Sequence, residues 1–468
     1  MSQSTNQPRL HSRKDFLIGA GAGIILPFIP GSSGSAQPNA VPNSGRYLLK
    51  GGTVLTMDDD LGDFDSADVL VEDGVISAVA ASVNSDAEVI DAAGHIVLPG
   101  FVDSHRHMWQ GCIRNMLPDG LLSDYVRVVL GQARPVYRPD DAHIGTLISA
   151  LGAIDAGVTT VLDWSHIGKS PAHTDAAVRG LRDSGIRALY AYGSGDATPE
   201  NRYPDDLRRL RDEVIPPDDP LLTLALGAGI NAGQWELARE TGVRISVHVN
   251  GTGDLLPMTE LLGPDVTCIH CCNLLDEEWE LLAANRTGVS ISSPVEMIMG
   301  HGIPPIQQTL DYGILPSLSV DVETTVPGNM FTQMQSVQTL QRMQILARDR
   351  AGESDLPDLL TAREILRFAT VNGAIHNGLD HLTGTLTPGK QADIQMLSLG
   401  HINTMPVNSP YGAVVTGMDR TNVDMVMVAG DIKKWKGKLV RTDLDQIASQ
   451  ALRSRDGIFE RAGLHSGI

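Results

Sequence analysis

Two histidines with one residue between them, His105 and His107, stand in the stretch LPGFVDSHRHMW of a chain that has only 14 histidines. Three more candidates close apolar runs in the same manner: His248 in VRISVHV, His270 in VTCIHC and Asp321 in PSLSVD. Imidazoles joined by a carboxylate make a nitrogen and oxygen donor set suited to Zn²⁺, Fe²⁺ or Mn²⁺. An ion so held lowers the pKa of its water toward ~7 and supplies a nucleophile at neutral pH. A single histidine is more often packed in a core or exposed at a surface, but several at the ends of separate runs are hard to bring together by accident.

For these groups to meet, the runs must be strands of one sheet whose corresponding ends lie together. Eight runs alternate with helical stretches: IVLPGFVDSH, VTTVLDW (158–164), IRALYAYG (186–193), LLTLALGAG (221–229), VRISVHV (243–249), VTCIHC (266–271), GVSISSP (288–294) and PSLSVD (316–321). Regular strand and helix alternation predicts a parallel sheet, and eight units predict an α/β fold, a (β/α)8 barrel. The active site of that fold lies at the C-terminal ends of the strands, where alternate residues such as His105 and His107 point the same way into the mouth. Short alternating segments with turn signals such as Asp73-Gly74 precede the barrel and similar ones follow it. The expected organisation is a signal and linker over 1–45, a β piece over 46–97, the barrel over 98–383, a second β piece over 384–445 and a C-terminal tail over 446–468.

VLPGFVDSHRH, SVHV, IHCCNLLDEEWELLA, SVD and the later ATVNGAIHNGLDHLTGTLTPGKQADI resemble the amidohydrolase superfamily. The branch they resemble contains cytosine deaminase, methylthioadenosine deaminase and atrazine chlorohydrolase, and the resemblance covers residues 46 to 445. It implies that the two β pieces form one composite sandwich beside a TIM-like barrel. It also implies a hydrolase for carbon–nitrogen bonds other than peptides, attacking a ring or amidine-like carbon of a small molecule and releasing an amine, ammonia or another leaving group. The implied metal ligands are His105, His107, His248 and Asp321, with Asp321 also taking the proton of the attacking water and His270 hydrogen-bonding the substrate or that water. Binuclear members carry a carbamylated lysine at the end of the fourth strand. LLTLALGAG has no lysine, so one divalent metal per chain is expected, zinc ahead of iron or manganese.

One position departs from the branch. Its deaminases place a glutamate three residues after the fifth-strand histidine, where it protonates the ring nitrogen, and here that position is Gly251. Asp254, Glu296 and His301 are the candidates to replace it, and His301 ranks first because imidazole titrates nearest neutrality. Ordinary purine or pyrimidine deamination is therefore expected to be poor. A metal-dependent lyase, decarboxylase or cyclase, and a non-catalytic binding protein, are the alternative readings that the missing acid leaves open. His166, in LDWSH, and Trp109 lie on the mouth side and are expected to bind a substrate ring.

The formal charge of −20 argues against nucleic acid, which needs a basic footprint. The expected partners are a small-molecule substrate and further copies of the chain. Four cysteines, Cys112, Cys268, Cys271 and Cys272, are too few for a disulfide framework, and the C-x-x-C they contain has no second pair at zinc-ribbon spacing. The N-terminus differs in kind. Ser12-Arg13-Lys14-Asp15-Phe16-Leu17 precedes an apolar, glycine-rich run to about Ile29, with small residues at Gly34-Ser35-Ala36. This is similar to a twin-arginine export signal with Lys14 as its second basic residue, and the run is too short and glycine-rich for stable membrane insertion. Export is expected, with a cytoplasmic location if the signal does not function.

Overall fold

The computed structural model describes residues 40–465. The twin-arginine-like segment lies outside the described residues. From Arg46 the alternating segments form β1 (Arg46–Val54), β2 (Phe64–Glu72), β3 (Val75–Ala80), β4 (Glu88–Asp91) and β5 (His95–Pro99). β2 and β3 are joined through Asp73 and Gly74, with φ of 51° and 79°, left-handed values that aspartate tolerates and glycine adopts freely.

Eight parallel strands follow: β6 (Phe101–Arg106), β7 (Val158–Gly168), β8 (Arg187–Ser194), β9 (Leu222–Ala228), β10 (Arg244–Val249), β11 (Val266–His270), β12 (Gly288–Ile291) and β13 (Ser317–Leu318). Each pairs with the next in sequence, and a parallel bridge between Arg106 and Asp321 closes the ring. Helices such as Pro171–Ser184, Ala232–Thr241 and Asp276–Ala284 connect successive strands. Alternation divides the strand residues between two apolar clusters. Leu162, Trp164, Leu189, Ala191, Ala225 and Ile269 form one, while Val161, Ala188, Tyr190, Leu224 and Cys268 pack in the larger core with helix residues such as Val178, Leu181 and Trp235. The C-x-x-C is placed there too: Cys268 and Cys271 are buried free thiols.

The eighth strand is shorter than its apolar run suggests. Regular pairing ends at Leu318, and Asp321 beyond it has φ of 66°. Its backbone still closes the barrel, because Asp321 N–H donates to His105 O and His107 N–H donates to Asp321 O, both at 2.9 Å.

After the barrel come β14 (Ile394–Ser398), β15 (Val423–Val428), β16 (Asp431–Trp435) and β17 (Lys438–Leu439). β14 pairs antiparallel with β5, so both chain ends build a single nine-stranded sheet. That sheet is tied to the barrel by a buried ion pair. Asp393, just before β14, accepts from Arg187 Nε at 2.7 Å and Nη2 at 3.1 Å, and from Ala429 N–H at 2.7 Å. The segment read as a tail is mostly helical: Leu444–Ala462 packs on helix Pro139–Asp155, where Asp141 accepts from Ser454 Oγ at 2.6 Å and pairs with Arg461. Among the described residues, no helix is long and apolar enough to cross a membrane.

Candidate active site

The barrel brings the strand-end histidines together. The ring of His105 lies 4.6 Å from that of His107 and 4.8 Å from that of His248, centroid to centroid. One ligand atom each from His105, His107 and His248 lie within 4.8 Å of one another, and so do those of His105, His270 and Asp321. Asp321 Oδ1 sits 3.1 Å from His105 Nε2 and 3.3 Å from His107 Nε2. Both His270 (φ 72°) and Asp321 adopt left-handed backbone, a strained choice for such residues that recurs where a fold must aim a functional side chain.

The electrostatics fit a metal ion. His107 Nδ1 lies 2.6 Å from the Trp164 carbonyl, which can only accept, so Nδ1 carries a proton and Nε2, 3.3 Å from Asp321 Oδ1, is the ring atom left to ligate an ion. Burial holds His105 neutral, its pKa pushed down to about 3, and pulls His248 well below the usual imidazole range. Burial disfavours the Asp321 carboxylate, but the hydrogen bond from His105 and the attraction of His270 outweigh it and hold its pKa well below normal. Neutral imidazoles around an ionised carboxylate are the protonation states a metal needs.

His270 stands beside this cluster with its own support. Its Nδ1 donates to Glu296 Oε1 at 3.1 Å, and its Nε2 lies 3.7 Å from Asp321 Oδ2. Burial alone lowers its pKa, but the two carboxylates raise it above the ordinary value. Glu296 corrects an expectation: it is fully buried, it also accepts from Ser292 N–H at 2.8 Å, and it lies behind His270 rather than on the pocket. Its place at the start of helix Ser293–Ile298 turns it inward. It can position His270 but cannot touch a substrate.

A cavity of about 260 Å³ opens over the cluster, lined by His107, Trp164, His248, His270 and Asp321 below and by Tyr125, Leu130, Met299 and His301 above. His301 does face it. Its Nδ1 pairs with Asn250 Oδ1 at 3.2 Å, its ring centroid is 4.4 Å from that of His270, and its buried Nε2 has no partner. Burial pushes its pKa down to about 4. Asp254 is absent from the lining. It accepts from Gly251 N–H at 2.8 Å, and a Cβ at position 251 would stand 2.5 Å from its carboxylate, so Asp254 fills the space a side chain there would take. Glu278 holds the same loop by accepting from Gly253 and Leu255 N–H, both at 2.9 Å.

His166 lines the cavity, and its ring stacks on His107 at 4.2 Å with planes 2° apart. Trp109 does not. It is fully buried one layer behind, where its Nε1 donates to His166 Nδ1 at 2.8 Å. The expected ring-binding role fails because segment Met108–Ile113 turns away from the mouth and packs on helix Pro139–Asp155, so closely that a Cβ on Gly145 would lie 2.2 Å from Trp109 O. Sequence reasoning missed Trp164, Tyr125 and Asn250. Trp164 shares the strand parity of His166, which was a usable signal. Tyr125 opens a nine-residue π-helical stretch, Tyr125–Ala133, that nothing in the sequence marks.

The profile of the amidohydrolase family matches residues 96–433. A 5'-deoxyadenosine deaminase from Methanosarcina mazei is 25% identical over 442 residues, covering 88% of this chain and 98% of that protein. A 5-methylthioadenosine/S-adenosylhomocysteine deaminase from Pyrococcus furiosus is 24% identical over 415 residues, covering 83% and 95%. Among solved structures, an adenosine deaminase from Xanthomonas campestris with bound zinc superposes with a TM-score of 0.78 at 20% identity, covering 88% of this chain and 98% of that one. Atrazine chlorohydrolase from Arthrobacter aurescens complexed with zinc gives 0.77 at 22% identity, covering 87% and 100%.

Proposed function

The chain belongs to the amidohydrolase family and is a hydrolase, and we propose that it uses one divalent metal, zinc, to displace an amine, ammonia or another leaving group from a ring or amidine-like carbon of a small molecule. The observation that carries this reading is the meeting of His105, His107, His248 and the ionised Asp321 under a cavity of about 260 Å³. A divalent ion would be held by these four groups and would supply a water of lowered pKa, nucleophilic near pH 7. Asp321 Oδ2, which lies toward His270 rather than toward His105, is the oxygen placed to take up a proton. His270 orients the site: Glu296 fixes the Nδ1–H edge of the ring and leaves Nε2 facing Asp321 and the cavity. His301 is our candidate for the general acid or base on the substrate side, through its unpartnered Nε2.

The deaminases named above are named for adenosine-type nucleosides, and this pocket is less suited to such substrates. Among the described residues Asp321 is the one carboxylate of the lining, and it belongs to the metal cluster, so ribose hydroxyls would find no further acidic partner there. We expect weak activity on 5'-deoxyadenosine and 5-methylthioadenosine. Incubating metal-loaded protein with these nucleosides, cytosine and atrazine in H₂¹⁸O, and following leaving-group release and ¹⁸O in the product, tests the reading. Release without ¹⁸O incorporation would point instead to lyase chemistry. We further infer that residues 1–45 act as an export signal and linker, on the strength of the Arg13-Lys14 motif and its apolar run.

A further inference from the structure

We propose that His166 is the specificity-determining hydrogen-bond donor of the pocket, locked by Trp109 as the Nε2–H tautomer and poised for an acceptor atom on a neutral, planar substrate. The proposal rests on the reading of this cavity as the substrate site. The donor inventory decides the tautomer. An indole N–H can only donate, so His166 Nδ1, 2.8 Å from Trp109 Nε1, must accept, and the proton of the neutral ring resides on Nε2. Turning the ring over would set a carbon against the indole N–H and strand that donor in a fully buried position. Stacking on His107 at 4.2 Å fixes the plane of the ring.

What remains open is the Nε2–H edge. Its partner in the protein is Tyr125 Oη at 3.4 Å, beyond the usual 2.7–3.2 Å of an N–H···O bond. Much of the rest of the lining is apolar: Leu122, Val126, Leu130, Met299 and Val322 surround the cavity with the Trp164 ring. Asn250 Oδ1 and His301 Nδ1 pair with each other, so Nδ1 carries the His301 proton and its unpartnered Nε2 is not the donor of the neutral ring, and Asp321 as a carboxylate can only accept. Among the described residues no lysine or arginine lines the cavity, so the protein's own side chains offer no cation to an anionic substrate there. The chemistry that fits is an uncharged heteroaromatic or amide-like ring whose nitrogen, carbonyl or ether oxygen meets His166. Trp109, which touches no substrate, is then a positioning residue.

Two measurements on the metal-loaded protein test this without requiring turnover. In ¹⁵N-histidine-labelled protein, the His166 ring, assigned by its nuclear Overhauser contact with the Trp109 indole proton, should show an acceptor-type Nδ1 and a protonated Nε2. A protonated Nδ1 overturns the proposal. For binding, 4-methoxypyridine and anisole are probes of equal size that differ in one ring nitrogen, and tryptophan fluorescence reports their affinity. Wild type should favour the pyridine by about tenfold, the worth of one hydrogen bond. His166→Phe should bring the ratio near one, His166→Gln should restore part of it, and Trp109→Phe should lower it with anisole affinity unchanged. A ratio that survives in His166→Phe, or equal loss for both probes in Trp109→Phe, would show that the pyridine nitrogen is read elsewhere or that Trp109 only packs.

Discussion

Asp321 carries two tasks that one substitution separates. Asp321→Asn should abolish turnover yet leave part of the metal affinity, because His105, His107 and His248 remain. His270→Ala should lower turnover by on the order of 10²-fold or more and bind metal nearly normally. Elemental analysis of both variants beside their rates checks this pair; matching metal loss would make His270 a ligand. On the substrate side, His301→Ala should reduce turnover more than Asp254→Ala, since His301 faces the cavity while Asp254 is spent on the Gly251 backbone. Full activity of His301→Ala would remove it from the mechanism. At this scale the sequence was informative where strand ends impose direction: His105, His107, His248, His270 and Asp321 all arrive at one place. It was uninformative where a short loop or helix decides. Glu296 and Trp109 face away from the cavity because of local turns that no periodicity records.

The elements were legible to the extent that burial is two-sided and regular. All eight barrel runs became strands, because continuous apolar stretches between helices have few other stable uses. The eighth shrank to Ser317–Leu318 because Asp321 must leave the extended region to present its carboxylate, a tertiary demand that overrides local preference. Asp393 has a comparable hidden role. It stands in the GKQADI motif, and its work is to join β14 to Arg187 on β8. Asp393→Ala leaves Arg187 charged, buried and without its carboxylate, and should cost about 3–5 kcal/mol. A lowered denaturant midpoint with metal content intact in the surviving folded fraction is the expected outcome. An unchanged midpoint would mean that the other contacts of β14 suffice.

For the molecule as a whole, the described chain is anchored from Val41, which packs on the core of the nine-stranded sheet, and from Asn43, whose N–H donates to Glu88. Removal of residues 1–39 should therefore leave fold and metal content unchanged while abolishing export of a full-length reporter fusion, which fractionation of a competent host measures. A shortened chain that loses metal or stability would assign those residues a structural role. The pairing of both chain ends in one sheet was expected from the family resemblance and from similar β segments at each end. The helical docking of Leu444–Ala462 was not, because it runs through a long-range ion pair of Arg461 with Asp141 and a hydrogen bond from Ser454 to the same carboxylate. The central claim is that His105, His107, His248 and Asp321 hold one metal that the chemistry requires. Metal content by elemental analysis, compared between wild type and His248→Ala, tests it most directly. The account predicts about one equivalent of divalent metal per wild-type chain and strong loss in the variant; two tightly bound metals in wild type, or undiminished loading in His248→Ala, would contradict it.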